Sequence, residues 1–203
     1  MIKILIAEDQ SMVLGALSAL LDMEEDFEII DKAKNGKDAL IKSQQQPIDI
    51  ILTDIEMPGM TGIELAQELQ KINHPPKVMI LTTFPRGGYL RRAMAAGVKG
   101  YLLKDVPSDS LADAVRKIHA GKIIVAPELV TQAWADNDPL SENERKVLRF
   151  SLEGHSTKEI ADLILLSAGT MRNYLSEATS KLGAKNRIEA ARIAKQKGCI
   201  LYT

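Results

Sequence analysis

The sequence predicts an α/β fold, a doubly wound five-stranded parallel sheet, followed by a second, smaller all-α domain. Three observations carry this. Short apolar runs alternate regularly with amphipathic helical segments over the first 120 residues. The last third of the chain opens its helices with one repeated capping device. The charge also changes sign between the parts: residues 1–138 hold 15 Lys and Arg against 20 Asp and Glu, a net of −5, whereas residues 139–203 hold 11 against 7, a net of +4. An acidic front joined to a basic back implies two domains with different partners.

The strands are expected at Ile2–Ala7, Glu28–Ile30, Ile48–Thr53, Val78–Thr82 and Gly100–Leu103, short aliphatic runs bounded by polar residues or glycine. The helices between them are Ser11–Asp22, Lys37–Gln45, Gly62–Lys71, Tyr89–Ala96 and Ser108–Ala120, with Gly97 and Gly121 as stops. Strand followed by helix, five times over, implies a parallel sheet covered on both faces, and right-handed crossovers leave almost no other topology. Residues 121–138 read as a linker, with a helical turn over Glu128–Ala135. From residue 139 to 203, Ser141-x-x-Glu144, Ser156-x-x-Glu159 and Asn186-x-x-Glu189 are capping boxes, and Ser167 with Thr170 makes a weaker cap. Four helices follow, at Glu142–Leu152, Thr157–Ile164, Ala168–Leu182 and Arg187–Gln196.

Composition narrows the function. Of 203 residues, 45% are hydrophobic and 26% charged, as in an ordinary globular protein rather than a disordered one. No apolar run approaches the ~20 residues of a membrane helix, and the opening Met1-Ile2-Lys3 lacks the form of a signal peptide. The one cysteine, Cys199, allows neither an internal disulfide nor a cysteine zinc cage, and His74, His119 and His155 have no metal-ligand spacing. A cytoplasmic protein without membrane insertion is expected.

In a doubly wound sheet, ligands bind beyond the carboxyl ends of the strands. There the sequence places Glu8 and Asp9 after the first strand, Asp54 after the third, Thr82-Thr83 at the fourth and Lys104 after the fifth. Three carboxylates close together must hold a proton or a cation, and with no His or Cys nearby a partly hydrated Mg²⁺ fits best. A carboxylate can attack phosphorus to give an acyl phosphate, with Lys104 and Thr82 neutralising its oxygens. No residue is placed to activate water quickly, so the product would persist as a stored signal. Taken singly, each residue has a plainer explanation: an Asp at a strand end usually caps a turn or helix, a lone Lys is usually solvated, and Tyr101 suits any sheet. Their arrival on one rim is what favours chemistry.

In the basic segment, Met171, Tyr174, Leu175, Ala178 and Leu182 form a core stripe and leave Arg172, Asn173, Ser176 and Ser180 on the opposite face. Arg grips guanine, Asn grips adenine, and Ser meets a base edge or a phosphate. Most polar helix faces are simply solvated. Here the flanking Lys158, Lys181, Lys185 and Arg187 are spaced to reach phosphates on either side. Glu177, at the edge of the face, opposes a polyanion and has no role in this scheme.

Ala7-Glu8-Asp9-Gln10, Asp54-x-Glu56-Met57-Pro58-Gly59-x-Thr61-Gly62, Leu81-Thr82-Thr83-Phe84 and Ala96-Gly97-x-x-Gly100-Tyr101-Leu102-Leu103-Lys104 resemble a response-regulator receiver domain over residues 1–120. The resemblance implies that Asp54 is the phosphoacceptor. It also implies that Glu8, Asp9, Asp54 and the backbone carbonyl of Glu56 surround Mg²⁺, that Thr82 and Tyr101 are the switch pair, and that Lys104 contacts phosphate. The Gly-rich stretch Pro85-Arg86-Gly87-Gly88 suits a segment that moves on phosphorylation. One departure is Asp105, where many receivers have proline after the lysine. Residues 139–200 resemble the LuxR/NarL helix-turn-helix, with Ala168–Leu182 as the recognition helix and Thr170 among its DNA contacts. There Leu165 stands in the turn where glycine or a polar residue is common, and Met171 replaces the usual Val.

The whole chain thus resembles the NarL/FixJ family of two-component response regulators, its short motifs being nearest to DesR-like regulators of membrane-lipid or envelope response. The resemblance implies a sensor histidine kinase as donor, a homodimer on phosphorylation through the first and fifth helices, and double-stranded promoter DNA as target. Two rival readings use the same residues: a phosphorylation-independent DNA-binding regulator, and a Mg²⁺-dependent phosphohydrolase with Asp54 as nucleophile and Asp54-Ile55-Glu56 as its acid pair.

Overall fold

A computed structural model describes residues 1–83, 87–130 and 138–200. The chain forms two compact units, one built on residues 1–83 and 90–130 and the other on residues 138–200.

In the first unit the elements alternate as β1 (Ile2–Ala7), α1 (Ser11–Asp22), β2 (Phe27–Ala33), α2 (Gly36–Gln45), β3 (Ile50–Thr53), α3 (Gly62–Leu69), β4 (Lys77–Thr82), α4 (Gly87–Ala95), β5 (Gly100–Leu103) and α5 (Ser108–His119), closed by β6 (Ile124–Val125). All pairings are parallel and the strand order is β2-β1-β3-β4-β5-β6. The order reverses between β1 and β3, so the switch point lies where Glu8-Asp9 and Asp54 leave the sheet. Ile4, Ile6, Ile50, Leu52, Met79 and Leu81 pack with Leu111, Val115 and Ile118 of α5 in a buried core. The aliphatic strands are buried along both faces because helices cover both.

Several boundaries differ from the sequence reading. β3 begins at Ile50 rather than Ile48, and α4 begins at Gly87 rather than Tyr89, so Gly87 and Gly88 of the Gly-rich stretch lie in its first turn. β2 spans seven residues rather than three, since an edge strand with one half-wet face tolerates Glu28, Asp31 and Lys32. A sixth strand, β6, pairs with β5 inside the stretch read as linker. Its two residues are too short a run for a periodic signal. Residues 127–130 are helical, and the rest of the helical turn expected over Glu128–Ala135 lies outside the described residues, as do Pro85 and Arg86. Gly97 and Gly121, following α4 and α5, have φ of 81° and 90°, as expected of helix stops. No described peptide bond is cis, that between Lys104 and Asp105 included.

The second unit contains α6 (Glu142–Leu152), α7 (Thr157–Leu163), α8 (Ala168–Lys181) and α9 (Arg187–Gln196). Ser141 and Ser156 close full capping boxes with Glu144 and Glu159, and Asn186 accepts from the backbone of Ile188 and Glu189. Leu148, Ala178, Ala190, Ala191 and Ala194 form one buried cluster, and Val147, Ile160, Ala161 and Met171 form a second. Small alanines on α9 let it pack closely against α6 and α8. Leu165 sits in the turn between α7 and α8 with φ of 55°, a left-handed conformation that costs a side-chain-bearing residue about 1–2 kcal/mol. That conformation explains why glycine is common there.

Candidate phosphoacceptor site and nucleic-acid interface

Backbone pairing delivers the acids to the rim of the first unit. Asp54 N–H donates to the Ala7 carbonyl, so β3 and β1 end side by side, and Glu8 N–H donates to the Ala33 carbonyl at the end of β2. Lys104 N–H donates to the Thr82 carbonyl, which brings the end of β5 against that of β4. One ligand oxygen from each of Glu8, Asp9 and Asp54 then lies within 4.8 Å of the others.

The electrostatics are those of an under-neutralised cluster. Lys104 Nζ stands 2.7 Å from Glu8 Oε2 and 3.2 Å from Asp54 Oδ1. One ammonium contacts two of the three acids. Glu8 is almost wholly buried, and desolvation holds its carboxyl above the usual carboxylate range in spite of Lys104. Desolvation likewise pushes Asp54 up, against the opposing charge of Lys104, with Asp9 adding repulsion. Asp9 Oδ1 is buried and has no hydrogen-bond partner among the described residues. An orphaned carboxylate oxygen beside two acids of raised pKa is a donor set that fits a hard divalent cation.

Around this centre the sequence is locally constrained. A Cβ on Gly62 would lie 2.0 Å from the Asp54 carbonyl, so the loop after β3 can fold back over the acid only with glycine there. Thr53 Oγ1 donates to that same carbonyl at 2.9 Å, and Thr61 starts α3 with a capping box. Glu56 follows Asp54 in this loop, half-buried. Thr82 is buried at the end of β4, and Tyr101 is fully buried on β5, paired with Ile80.

In the second unit, Thr170, Arg172, Asn173 and Ser176 are exposed on α8, while Met171 and Ala178 are buried on the opposite side. Lys158 and Lys185 are exposed as well. Arg187 is half-buried, with Nη1 3.4 Å from Thr157 Oγ1, which ties the start of α9 to the start of α7. Lys181 is placed differently. Its Nζ bonds both oxygens of Glu144, at 2.7 and 2.9 Å, and Glu144 is completely buried. Burial pushes the Glu144 carboxyl up, but Lys181 and the Ser141 backbone N–H outweigh it, and its pKa is held below the usual range. The capping box revealed Glu144 in the sequence; its ion pair with a residue 37 positions away did not show.

Fold and site together define a receiver module joined to a helix-turn-helix module. Residues 4–116 match the family model of the response regulator receiver domain, and residues 138–194 that of the bacterial regulatory proteins of the luxR family. The chain belongs to the LuxR-type (NarL/FixJ) family of two-component response regulators, which are regulators of transcription rather than enzymes. It is similar to the transcriptional regulatory protein DesR of Bacillus subtilis (strain 168), 49% identical over 98% of both chains. It is equally similar to YvfU of the same organism, 50% identical over 98% of this chain and 100% of that one. Among solved structures it resembles the response regulator ChrA of a heme-sensing two-component system, at 32% identity and a TM-score of 0.59 over 97% of this chain and 98% of that one. It also resembles RcsB, in a structure of two dimers bound to two parallel DNAs, at 25% identity and a TM-score of 0.63 over 96% of this chain and 98% of that one. Among the described residues no helix is long and apolar enough to cross a membrane.

Proposed function

We propose that this regulator works in the cytoplasm as a phosphorylation switch: a sensor histidine kinase transfers a phosphoryl group to Asp54, and the modified chain dimerises on promoter DNA. The observation that carries this reading is the single lysine shared by Glu8 and Asp54 beside the orphaned oxygen of Asp9. An Asp54 carboxylate oxygen attacks phosphorus, a P–O bond forms, and the P–N bond to the donor's imidazole breaks, with the electron pair returning to the ring nitrogen. Lys104, already 3.2 Å from Asp54, pairs with a phosphoryl oxygen, and Thr82 donates to another. Glu8, Asp9, Asp54 and the Glu56 carbonyl would hold Mg²⁺, which neutralises charge on the transferring group. Buried Tyr101 shares the strand layer with Thr82 and reports its occupancy to the receiver surface.

Phosphate and dimer contacts together must supply about 5.5 kcal/mol of differential stabilisation to move the population from mostly off to mostly on. On α1 and its C-cap, Met12, Gly15, Ala16, Ala19, Leu20 and Met23 are all exposed, an apolar face at helical spacing, with Met12 86% and Met23 79% exposed. That face beside α5 supports dimerisation, which would set two α8 helices about one DNA turn apart. Arg172, Asn173, Ser176 and Thr170 then meet base edges, and Lys158, Lys185 and Arg187 meet phosphates.

Mass spectrometry and gel shift, on wild type and Asp54→Ala with and without acetyl phosphate and Mg²⁺, test the reading. Only wild type should gain the phosphoryl mass, and only modified wild type should bind its operator tightly. Equal operator affinity with and without the phosphodonor would replace the switch by constitutive DNA binding. Sustained turnover of generic phosphoesters would replace it by phosphohydrolase activity.

A further inference from the structure

The exposed face of α8 carries one acid among its polar residues, Glu177. On a helix the favoured partner of such a residue is a lysine four positions later, here Lys181. That partner is taken, because Lys181 Nζ is bound to both carboxylate oxygens of Glu144 on α6. Arg172 lies five residues back, toward the other edge of the face. Among the described residues Glu177 has no hydrogen bond and no ion pair. The helix therefore presents a bare carboxylate beside Asn173 and Ser176.

A carboxylate only accepts hydrogen bonds. Phosphates repel it, as do the acceptor edges of guanine and thymine. In the major groove its donors are the amino groups of cytosine and adenine. Adenine sets N7, an acceptor, next to its amino group, so the second carboxylate oxygen would face a lone pair. Cytosine sets a C–H there, which does not. We propose that Glu177 determines specificity by accepting a hydrogen bond from the N4 amino group of a cytosine and by rejecting other base pairs at that position. This rests on the reading of α8 as the helix that enters the major groove. It also gives the Glu144–Lys181 pair a second consequence: by withholding Lys181, it keeps Glu177 free to read.

The test is selection from a randomised DNA duplex pool by the full chain, with and without acetyl phosphate and Mg²⁺, followed by sequencing of the bound fraction. Wild type should enrich cytosine about tenfold at one position of each half-site, the size of effect expected of one good base contact. Glu177→Ala should flatten that position and leave the others, including the one that Arg172→Ala relaxes. Glu177→Gln should move the preference toward adenine, whose amino group and N7 together match an amide. If Glu177→Ala instead raises affinity for every sequence alike and changes no base preference, the carboxylate only repels the backbone and the proposal falls while DNA reading by α8 stands. If wild type shows no base preference at all, both fall.

Discussion

Each unit holds a buried carboxylate bound by a lysine at the same distance, 2.7 Å, and the two pairs behave in opposite ways. In the second unit one lysine meets one acid, and Glu144 is held below the usual carboxylate range. In the first, one lysine meets Glu8 and Asp54 with Asp9 beside them, and both Glu8 and Asp54 are pushed above it. The difference lies first in burial, which at Glu8 and Asp54 outweighs a lysine they must share and at Glu144 does not outweigh Lys181 and the Ser141 cap. It lies second in stoichiometry, since neighbouring acids add repulsion only at the first site. A pair whose charges balance serves to hold helices together. A cluster left short of positive charge has unfilled demand for a cation or a proton, and that demand marks a functional site.

The largest expected effect comes from removing the scarce cation. Lys104→Met should slow labelling of Asp54 by acetyl phosphate about a hundredfold, the usual cost of losing one charged group aimed at a developing anion. Labelling at the wild-type rate would mean that Lys104 merely balances Glu8. Next comes the balanced pair. Lys181→Met leaves Glu144 buried without its ammonium, and should destabilise the second unit by about 2 kcal/mol in urea unfolding. That is less than a fully buried pair would cost, because Lys181 is 39% exposed. Operator affinity should fall only as far as folding does, whereas Lys185→Ala should lower the salt dependence of binding and leave stability alone.

This contrast was only half legible in the sequence. The acids of the first unit could be placed on one rim because each follows directly on a strand, and alternation of strand and helix fixes where strands end. Periodicity failed at β6, where Ile124-Val125 is too short to alternate, and at β2, whose solvent-facing edge admits charges that look like loop. Charges on helices were the harder problem. Lys181 and Lys185 look alike as members of a basic flank, and both are exposed, yet Lys181 is bound to Glu144 across 37 residues whereas the Lys185 ammonium has no ion pair among the described residues. Spacing along α8 says which side a residue faces. It does not say which acid on another helix waits at its end.

The smallest effect, and the one that separates the units most directly, is their response to acid. Glu8 and Asp54 have raised pKa values in the folded state, so each takes up its proton more readily folded than unfolded. Their contribution is full below the unfolded pKa and is lost as pH rises through the folded one. The first unit should therefore gain stability when pH falls from neutral through the window just above the usual carboxylate range. Glu144 runs the other way: its contribution is present above the unfolded pKa and is lost as pH falls through a folded pKa below that range. Hydrogen exchange followed by mass spectrometry resolves the two units within one chain. It should show slower exchange in β1 and β3 on mild acidification, with α6 and α8 loosening only at lower pH. Saturating Mg²⁺ should reverse the first trend, since protons would then compete with the bound cation. Asp54→Asn should shrink it, since the amide has no proton to gain and only Glu8 is left to take one up. If the two units lose protection together, with Mg²⁺ and Asp54→Asn without effect, the acids at the sheet rim are as well neutralised as Glu144, and the distinction between a structural and a functional carboxylate–lysine pair fails in this protein.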